Sequence, residues 1–256
     1  MLLAIDVGNS HSVIGIYDGR EIIQHWRINT NRNATSDELA SLFHSLFHMD
    51  DISFSQIQAV IIASVVPPMH ASWDRFIKRY FDIPCIHVDN NLDFGIKILI
   101  DNPAEIGADR IVNTVAAFSK YQSALIVVDF GTATTFDCVS NTGDYIGGVI
   151  APGLAISLEA LGQRTAKLPR IDISSPPENV IGKNTITAIK SGILFGYGGL
   201  VEGLLANIKR EFASTTPKVI ATGGMAGLIA PYAKSIESIE PLLTLEGLRI
   251  IYERNS

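Results

Sequence analysis

Apolar positions along this chain switch between the period of a strand and the period of a helix, and the switches mark out its elements. Leu2 to Ile5 is apolar, Asp6-Val7-Gly8-Asn9-Ser10 is polar and contains glycine, and Val13 to Tyr17 is apolar again. Asp18-Gly19 supplies a tight turn before Glu21 to Arg27, with Ile22, Ile23 and Trp26. Strand, turn, strand, turn, strand predicts an antiparallel meander. Thr35 and Glu38 have capping-box spacing, and Leu39, Leu42, Phe43, Leu46 and Phe47 form one helical stripe behind them. Gln58 to Ser64 is short, β-branched and almost wholly apolar, which predicts a strand covered on both faces. Pro67-Pro68 ends it, and Trp73 to Tyr80 predicts a further helix. Asn102 as N-cap with Pro103 at the first position predicts a helix start, its apolar side including Ile106, Ile111, Val112, Val115 and Phe118.

The opening pattern then returns. Leu125 to Val128 is apolar, Asp129-Phe130-Gly131-Thr132 repeats the Asp-x-Gly-polar turn, and Thr135 to Val139 is the returning strand. Asn141-Thr142-Gly143-Asp144 makes a second turn before Tyr145 to Ile150. Asp6 and Asp129 stand close to half of the 256 residues apart. A repeat of that size predicts two similar βββ-α-β-α lobes, residues 1–119 and 120–256. Late in the second, Lys218 to Ala221 predicts a buried strand running into Thr222-Gly223-Gly224.

Composition narrows the classes of function. Hydrophobic residues are 47% and charged residues 18%, which suits a buried core and excludes a disordered chain. Twenty Lys and Arg against 26 Asp and Glu give a net charge of -6, without a basic run, so neither nucleic acid nor an anionic membrane is an expected partner. The two cysteines, Cys85 and Cys138, form no CxxC or Cys/His pattern, which fits a reducing cytoplasm. The N-terminal MLLAIDVGNS lacks a basic segment and meets an acid at Asp6, so no secretory signal is expected. Unbroken apolar stretches such as Ala59 to Ala63 fall far short of the roughly 18 residues of a membrane span.

The two Asp-x-Gly hairpins are the sharpest chemical signal. A turn of glycine and small hydroxyl or amide residues offers N–H groups to phosphate oxygens, and an Asp at the end of the preceding strand can hold a hydrated cation beside them. Facing one another, two such turns would grip a polyphosphate. The glycines of Ala221-Thr222-Gly223-Gly224 would let a flat ligand such as a purine approach the backbone. At Gly107-Ala108-Asp109-Arg110, two small residues leave room for a ligand beside an acid–base pair. His44 and His48 are four apart on a helix without a supporting carboxylate, and read as structural or solvated. Gly192, Gly196, Gly198, Gly199 and Gly203 lie in a helical region, where close helix packing explains them, with a subunit interface as one form of it. Cys138 reads as a packing residue.

DVGNS at 6–10, GADR at 107–110, DFGTATT at 129–135, GGVIAPG at 147–153 and ATGG at 221–224 together resemble type III pantothenate kinase, over nearly the whole chain. That family belongs to the acetate and sugar kinase, Hsp70 and actin superfamily. The resemblance implies an α/β fold of two duplicated ribonuclease-H-like, actin-like ATPase lobes with ATP in the cleft between them. The implied reaction is ATP plus pantothenate giving ADP and 4'-phosphopantothenate, in the cytoplasm and by a homodimer. It also implies residue roles. Asp6, Val7, Gly8, Asn9, Ser10, His11, Ser12 and Val13 would bind ATP, with Asp6 toward magnesium or its waters, and Thr132 would contact the nucleotide phosphates. Asp129 would hold a monovalent cation, potassium or ammonium. Asp109 would be the general base, and Gly107, Ala108, Asp109 and Arg110 would form the pantothenate site, with the guanidinium on the substrate's polar groups.

The chain departs from the family pattern at three places. Ser10 replaces a threonine and keeps the hydroxyl. Ile100 stands where a tyrosine is common and could be only an apolar wall of the substrate site. Asn184 stands where a substrate-binding threonine is expected and keeps hydrogen-bonding capacity. Two other functions fit the same fold: a kinase for another small hydroxylated or carboxylated metabolite, and a non-catalytic regulator. Retention of Asp6, Asp109 and Asp129 favours the enzyme.

Overall fold

A computed structural model describes residues 1–163, 171–173, 175–212 and 215–256, in two units: residues 1–119 with 243–256, and residues 120–242. The first unit opens with the expected meander, β1 (Leu2–Val7), β2 (His11–Asp18) and β3 (Glu21–Asn29), the β2–β3 turn passing through Gly19 at φ +58°. Next come α1 (Ser36–Met49), β4 (Ala59–Ser64), α2 (His70–Tyr80), the short β5 (Cys85–His87) and α3 (Ala108–Tyr121). The sheet order is β3-β2-β1-β4-β5, antiparallel within the meander and parallel from β1 to β4 and β4 to β5. Flanked by two strands and buried, β4 is the doubly covered strand its apolar run predicts.

The α1 cap forms as expected: the Glu38 N–H donates to Thr35 Oγ1, and the Thr35 N–H donates to the Glu38 carboxylate at 2.7 Å. The stripe behind that cap seats Phe43 against Trp73 and Phe76 of α2, with ring centroids 5.8 Å and 4.8 Å apart, and Phe47 against Phe54 at 5.2 Å. The helix expected from Asn102 starts later. Asn102 caps only a 3-10 turn, Pro103–Glu105; Ile106 is then extended at ψ 131°, which breaks the helical hydrogen bonding, and α3 begins at Ala108.

The second unit repeats the plan with β6 (Leu125–Phe130), β7 (Ala133–Val139), β8 (Tyr145–Pro152), α4 (Leu154–Gln163), α5 (Thr185–Glu211), β9 (Lys218–Thr222), the short α6 (Ala226–Ile229) and β10 (Ser238–Ile239). Its order, β8-β7-β6-β9-β10, is that of the first sheet strand for strand, with the same parallel and antiparallel pairs. By length and composition α5 could cross a membrane. One of its faces, with Leu194, Val201 and Leu205, is buried in the core with Val128, Val219 and Ala221, as in a core helix.

The expected second lobe, 120–256, needs correction at its end. The last helix, α7 (Leu243–Asn255), belongs to the first unit and packs on β1, β2 and β4. Two glycines make its seat: a Cβ on Gly15 would come within 2.8 Å of Leu245, and one on Gly247 would strike the Val112 carbonyl. Thr244 donates to Asn113 Oδ1 at 2.7 Å and Arg254 pairs with Asp93 at 2.9 Å, fastening both ends.

Candidate functional site

In the first unit the polar residues of the Asp-x-Gly hairpin lie where β1 and β4 end side by side. Asp6 is half-buried in register with Val13 of β2 and Ala63 of β4. The Gly8 N–H donates to the His11 carbonyl at 3.1 Å and closes the turn, so that Asn9 and Ser10 form an exposed tip. A Cβ on Gly8 would lie 2.9 Å from that same carbonyl, which is why glycine stands there. Burial and the Arg27 charge hold the His11 imidazole below its usual range, so it is neutral at pH 7. Attraction for anions at the turn therefore comes from N–H groups and from the Arg32 guanidinium on Asn9 rather than from His11.

GADR reaches the same end of the sheet. The Val65 N–H, just past β4, donates to the Val7 carbonyl at 3.1 Å, and Val65 also lies beside Gly107, 3.7 Å from where a Cβ would stand. Gly107 precedes the first turn of α3, and its carbonyl accepts from the Arg110 and Ile111 N–H groups. The Asp109 carboxylate folds back over Gly107, 2.5 Å from a would-be Cβ, and accepts the Arg110 N–H at 2.8 Å. Burial pushes the Asp109 carboxyl above the usual carboxylate range, opposed by that N–H and by the Arg110 guanidinium. Val65 thus links the start of α3, with its desolvated carboxyl, to the end of β1 that opens the phosphate-type turn, and the ends of parallel strands are the usual place for a ligand in such sheets.

In the second unit one carboxylate organises the corresponding end. Asp129 pairs with Thr135 of β7 and Thr222 of β9, and its Oδ1 lies against both Gly131 and Gly223. Gly223, at φ +89°, could not carry a Cβ, which would meet that oxygen and stand 2.6 Å from the Phe130 carbonyl carbon. Gly223 thus makes room for Asp129 and the β6 backbone, and Gly224 beside it is exposed. A Cβ on Gly153 would likewise strike the Thr132 carbonyl, so the last glycine of GGVIAPG fits the DFGT turn where α4 begins.

Residues 2–207 match the family described as type III pantothenate kinase. The chain belongs to the type III pantothenate kinase family. A protein of that name from Citrifermentans bemidjiense is 52% identical over 255 residues and one from Geobacter sulfurreducens 51%, each covering all of this chain; the matches cover 100% and 99% of those relatives. Solved structures share the fold at lower identity. A Campylobacter jejuni protein provisionally named a Baf family transcriptional activator matches at TM-score 0.61 and 18% identity, covering 98% of this chain and 97% of its own. Component A of the Acidaminococcus fermentans (R)-2-hydroxyglutaryl-CoA dehydratase matches at 0.56 and 15%, covering 98% and 96%. A Listeria monocytogenes protein provisionally named an N-acetylmannosamine kinase matches at 0.54 and 11%, covering 98% of both chains. These likenesses place the chain in the fold of the actin-like ATPases and sugar kinases.

Within this type III pantothenate kinase family member, several expected site residues occupy distinct settings. Val7 is buried in the first core, so any ligand contact it makes is through its backbone. Ser12 is 1% exposed and its hydroxyl bonds Thr30 at 2.9 Å, facing away from the exposed hairpin tip. Thr132 is exposed at its turn. Ile100 is half-buried in the segment before Asn102. Asn184 is the N-cap of α5, and its Oδ1 accepts the Thr187 N–H at 2.9 Å. Ile100 lies in the first unit with Asp109, and Asn184 lies in the second. Sequence reading missed Thr30, whose hydroxyl donates to the Gly8 carbonyl at 2.7 Å; nothing in the Asn29-Thr30-Asn31 string marks it.

Proposed function

We propose that this chain transfers the γ-phosphoryl group of ATP to the primary hydroxyl of pantothenate, the committed step toward coenzyme A. The support is full-length likeness to relatives bearing that enzyme's name, together with one geometric observation: the desolvated Asp109 carboxyl held over Gly107 beside the first hairpin. A carboxyl raised by burial is a better proton acceptor near neutral pH than an exposed one. In this reading Asp109 accepts the proton of the attacking hydroxyl, and Arg110 binds the substrate's carboxylate or amide oxygens. Phosphoryl transfer passes through a loose transition state, so Asp109 orients the nucleophile more than it activates it.

The exposed N–H groups of the hairpin from Asp6 to Val13 bind ATP phosphates, and Thr132 does so from its own turn. Asp6 and Asp129 are half-buried carboxylates at strand ends, a donor chemistry that suits hard cations. Asp6 would face magnesium through its waters, and Asp129 would hold potassium or ammonium. These ions supply charge neutralisation at the phosphates. Gly107 and Ala108 leave space for pantothenate, with Ile100 as an apolar wall and Asn184 as a polar contact. The outward face of α5, with Gly192, Gly196, Gly199 and Gly203 open and Phe195 exposed, is the surface we assign to the homodimer. Nucleic acid and membrane have no part in this reading, which places the reaction in the cytoplasm.

The test is ADP release from ATP and magnesium with pantothenate, acetate or glucose supplied separately, first in potassium and then in sodium. Turnover with pantothenate alone, faster in potassium, supports both substrate and cation. Turnover with acetate or glucose but not pantothenate refutes the assignment.

A further inference from the structure

We infer that Thr30 is a positioning residue for the nucleotide: its hydroxyl and N–H hold the Gly8-Asn9-Ser10 turn at the height where its N–H groups meet phosphate. The inference rests on the reading of that hairpin as an ATP-phosphate site. Thr30 follows β3 and touches the hairpin at three points. Its hydroxyl donates to the Gly8 carbonyl at 2.7 Å, its N–H donates to the Ser10 carbonyl at 3.0 Å, and its Oγ1 lies 2.9 Å from Ser12 Oγ. Since the one hydroxyl proton of Thr30 goes to Gly8, the proton between the two hydroxyls comes from Ser12. Outside the turn, Arg32 adds a bond to Asn9 Oδ1 at 2.9 Å.

The space beneath these hydroxyls is a cavity of about 120 Å³ lined by Ser12, Thr30, Met69 and Trp73 among others. The three Thr30 hydrogen bonds tie the turn to the end of β3 beside that cavity. Removing the Thr30 hydroxyl releases the Gly8 carbonyl and leaves the 1%-exposed Ser12 hydroxyl without its acceptor. The turn then keeps the Thr30 N–H bond to Ser10 but loses its anchor at Gly8, while Asp109 keeps its own bond to Arg110.

Thr30→Val, Thr30→Ser and Gly8→Ala separate the possibilities in steady-state kinetics. Losing the two hydrogen bonds of the Thr30 hydroxyl in Thr30→Val raises the ATP KM about tenfold, with the pantothenate KM within about twofold of wild type. Thr30→Ser, which keeps the hydroxyl, restores the ATP KM to within about threefold. If Thr30→Val does not fold, Thr30→Ala removes the same hydroxyl and carries the same expectation. A wild-type ATP KM in Thr30→Val, with Gly8→Ala impaired for ATP, overturns the inference alone. A wild-type ATP KM in both overturns the hairpin reading and the inference with it. An equal rise in both KM values without rescue by serine marks Thr30 as a general stability residue and also overturns it.

Discussion

Gly223→Ala tests whether the ATGG turn is shaped by Asp129. Two separate penalties follow from the structure. An L-residue at φ +89° leaves the favoured backbone regions, which costs about 1–3 kcal/mol. The added Cβ would also stand 2.6 Å from the Phe130 carbonyl carbon and 2.7 Å from its nitrogen, so relief requires movement of β6 itself. Overpacking of that kind adds about 1–3 kcal/mol. A total near 4 kcal/mol in a chain of this size lowers the melting temperature by roughly 10 °C. Gly227→Ala is the control within the same stretch: Gly227 is exposed in α6, has an ordinary φ, and nothing lies within 4 Å of its added Cβ. Alanine there stabilises the helix by up to about 1 kcal/mol. The assay is thermal melting of the three proteins followed by circular dichroism, with the ATP KM measured well below the transition. Gly223→Ala melting within about 2 °C of wild type would refute the argument, since it would mean that the turn accommodates a Cβ without disturbing Asp129 or Phe130.

Three further outcomes are expected. Asp109→Asn lowers kcat by about 10²–10⁴-fold yet raises the melting temperature. Because burial raises the folded-state carboxyl, its stabilising contribution is whole at acid pH and fades as pH rises through the raised value, so the variant's advantage is larger near pH 7.5 than near pH 4; melting at both pH values checks this. Asp129→Ala abolishes the rate difference between potassium and sodium, and an unchanged cation response in ADP release contradicts that role. Arg249, 6% exposed, pairs with Glu246 and with Glu253 at 2.6 Å; both acids are more than a third exposed, so Arg249→Met lowers stability by only about 1–3 kcal/mol, read by denaturant unfolding.

The repeated plan was legible because it is written in local signals: two Asp-x-Gly turns between apolar runs, with a β-branched strand and a capped helix after the first. Both sheets follow that pattern. The misplaced start of α3 shows the limit of local signals. Asn102-Pro103 does cap a turn, but Ile106 is extended, and Val65 just past β4 lies beside Gly107, a neighbour that no local signal at 102–107 announces. Ser12 was grouped with the phosphate residues by its place in the motif. Strand alternation turns it inward, where Thr30 receives it. The destination of α7 was hidden for a similar reason. Its apolar face records that it is covered, and Gly15, which receives Leu245, lies over 200 positions earlier.

That distant seat bears on how the chain matures. The first unit is interrupted and the second is continuous, so on the ribosome residues 120–242 emerge as one uninterrupted stretch while β1 still lacks its helical cover. The face of β1 and β2 that carries Gly15 stays open until α7 has been made, leaving apolar surface for chaperones during that interval. A stop codon after residue 242 would spare both Asp-x-Gly turns and GADR, yet yield a protein that degrades.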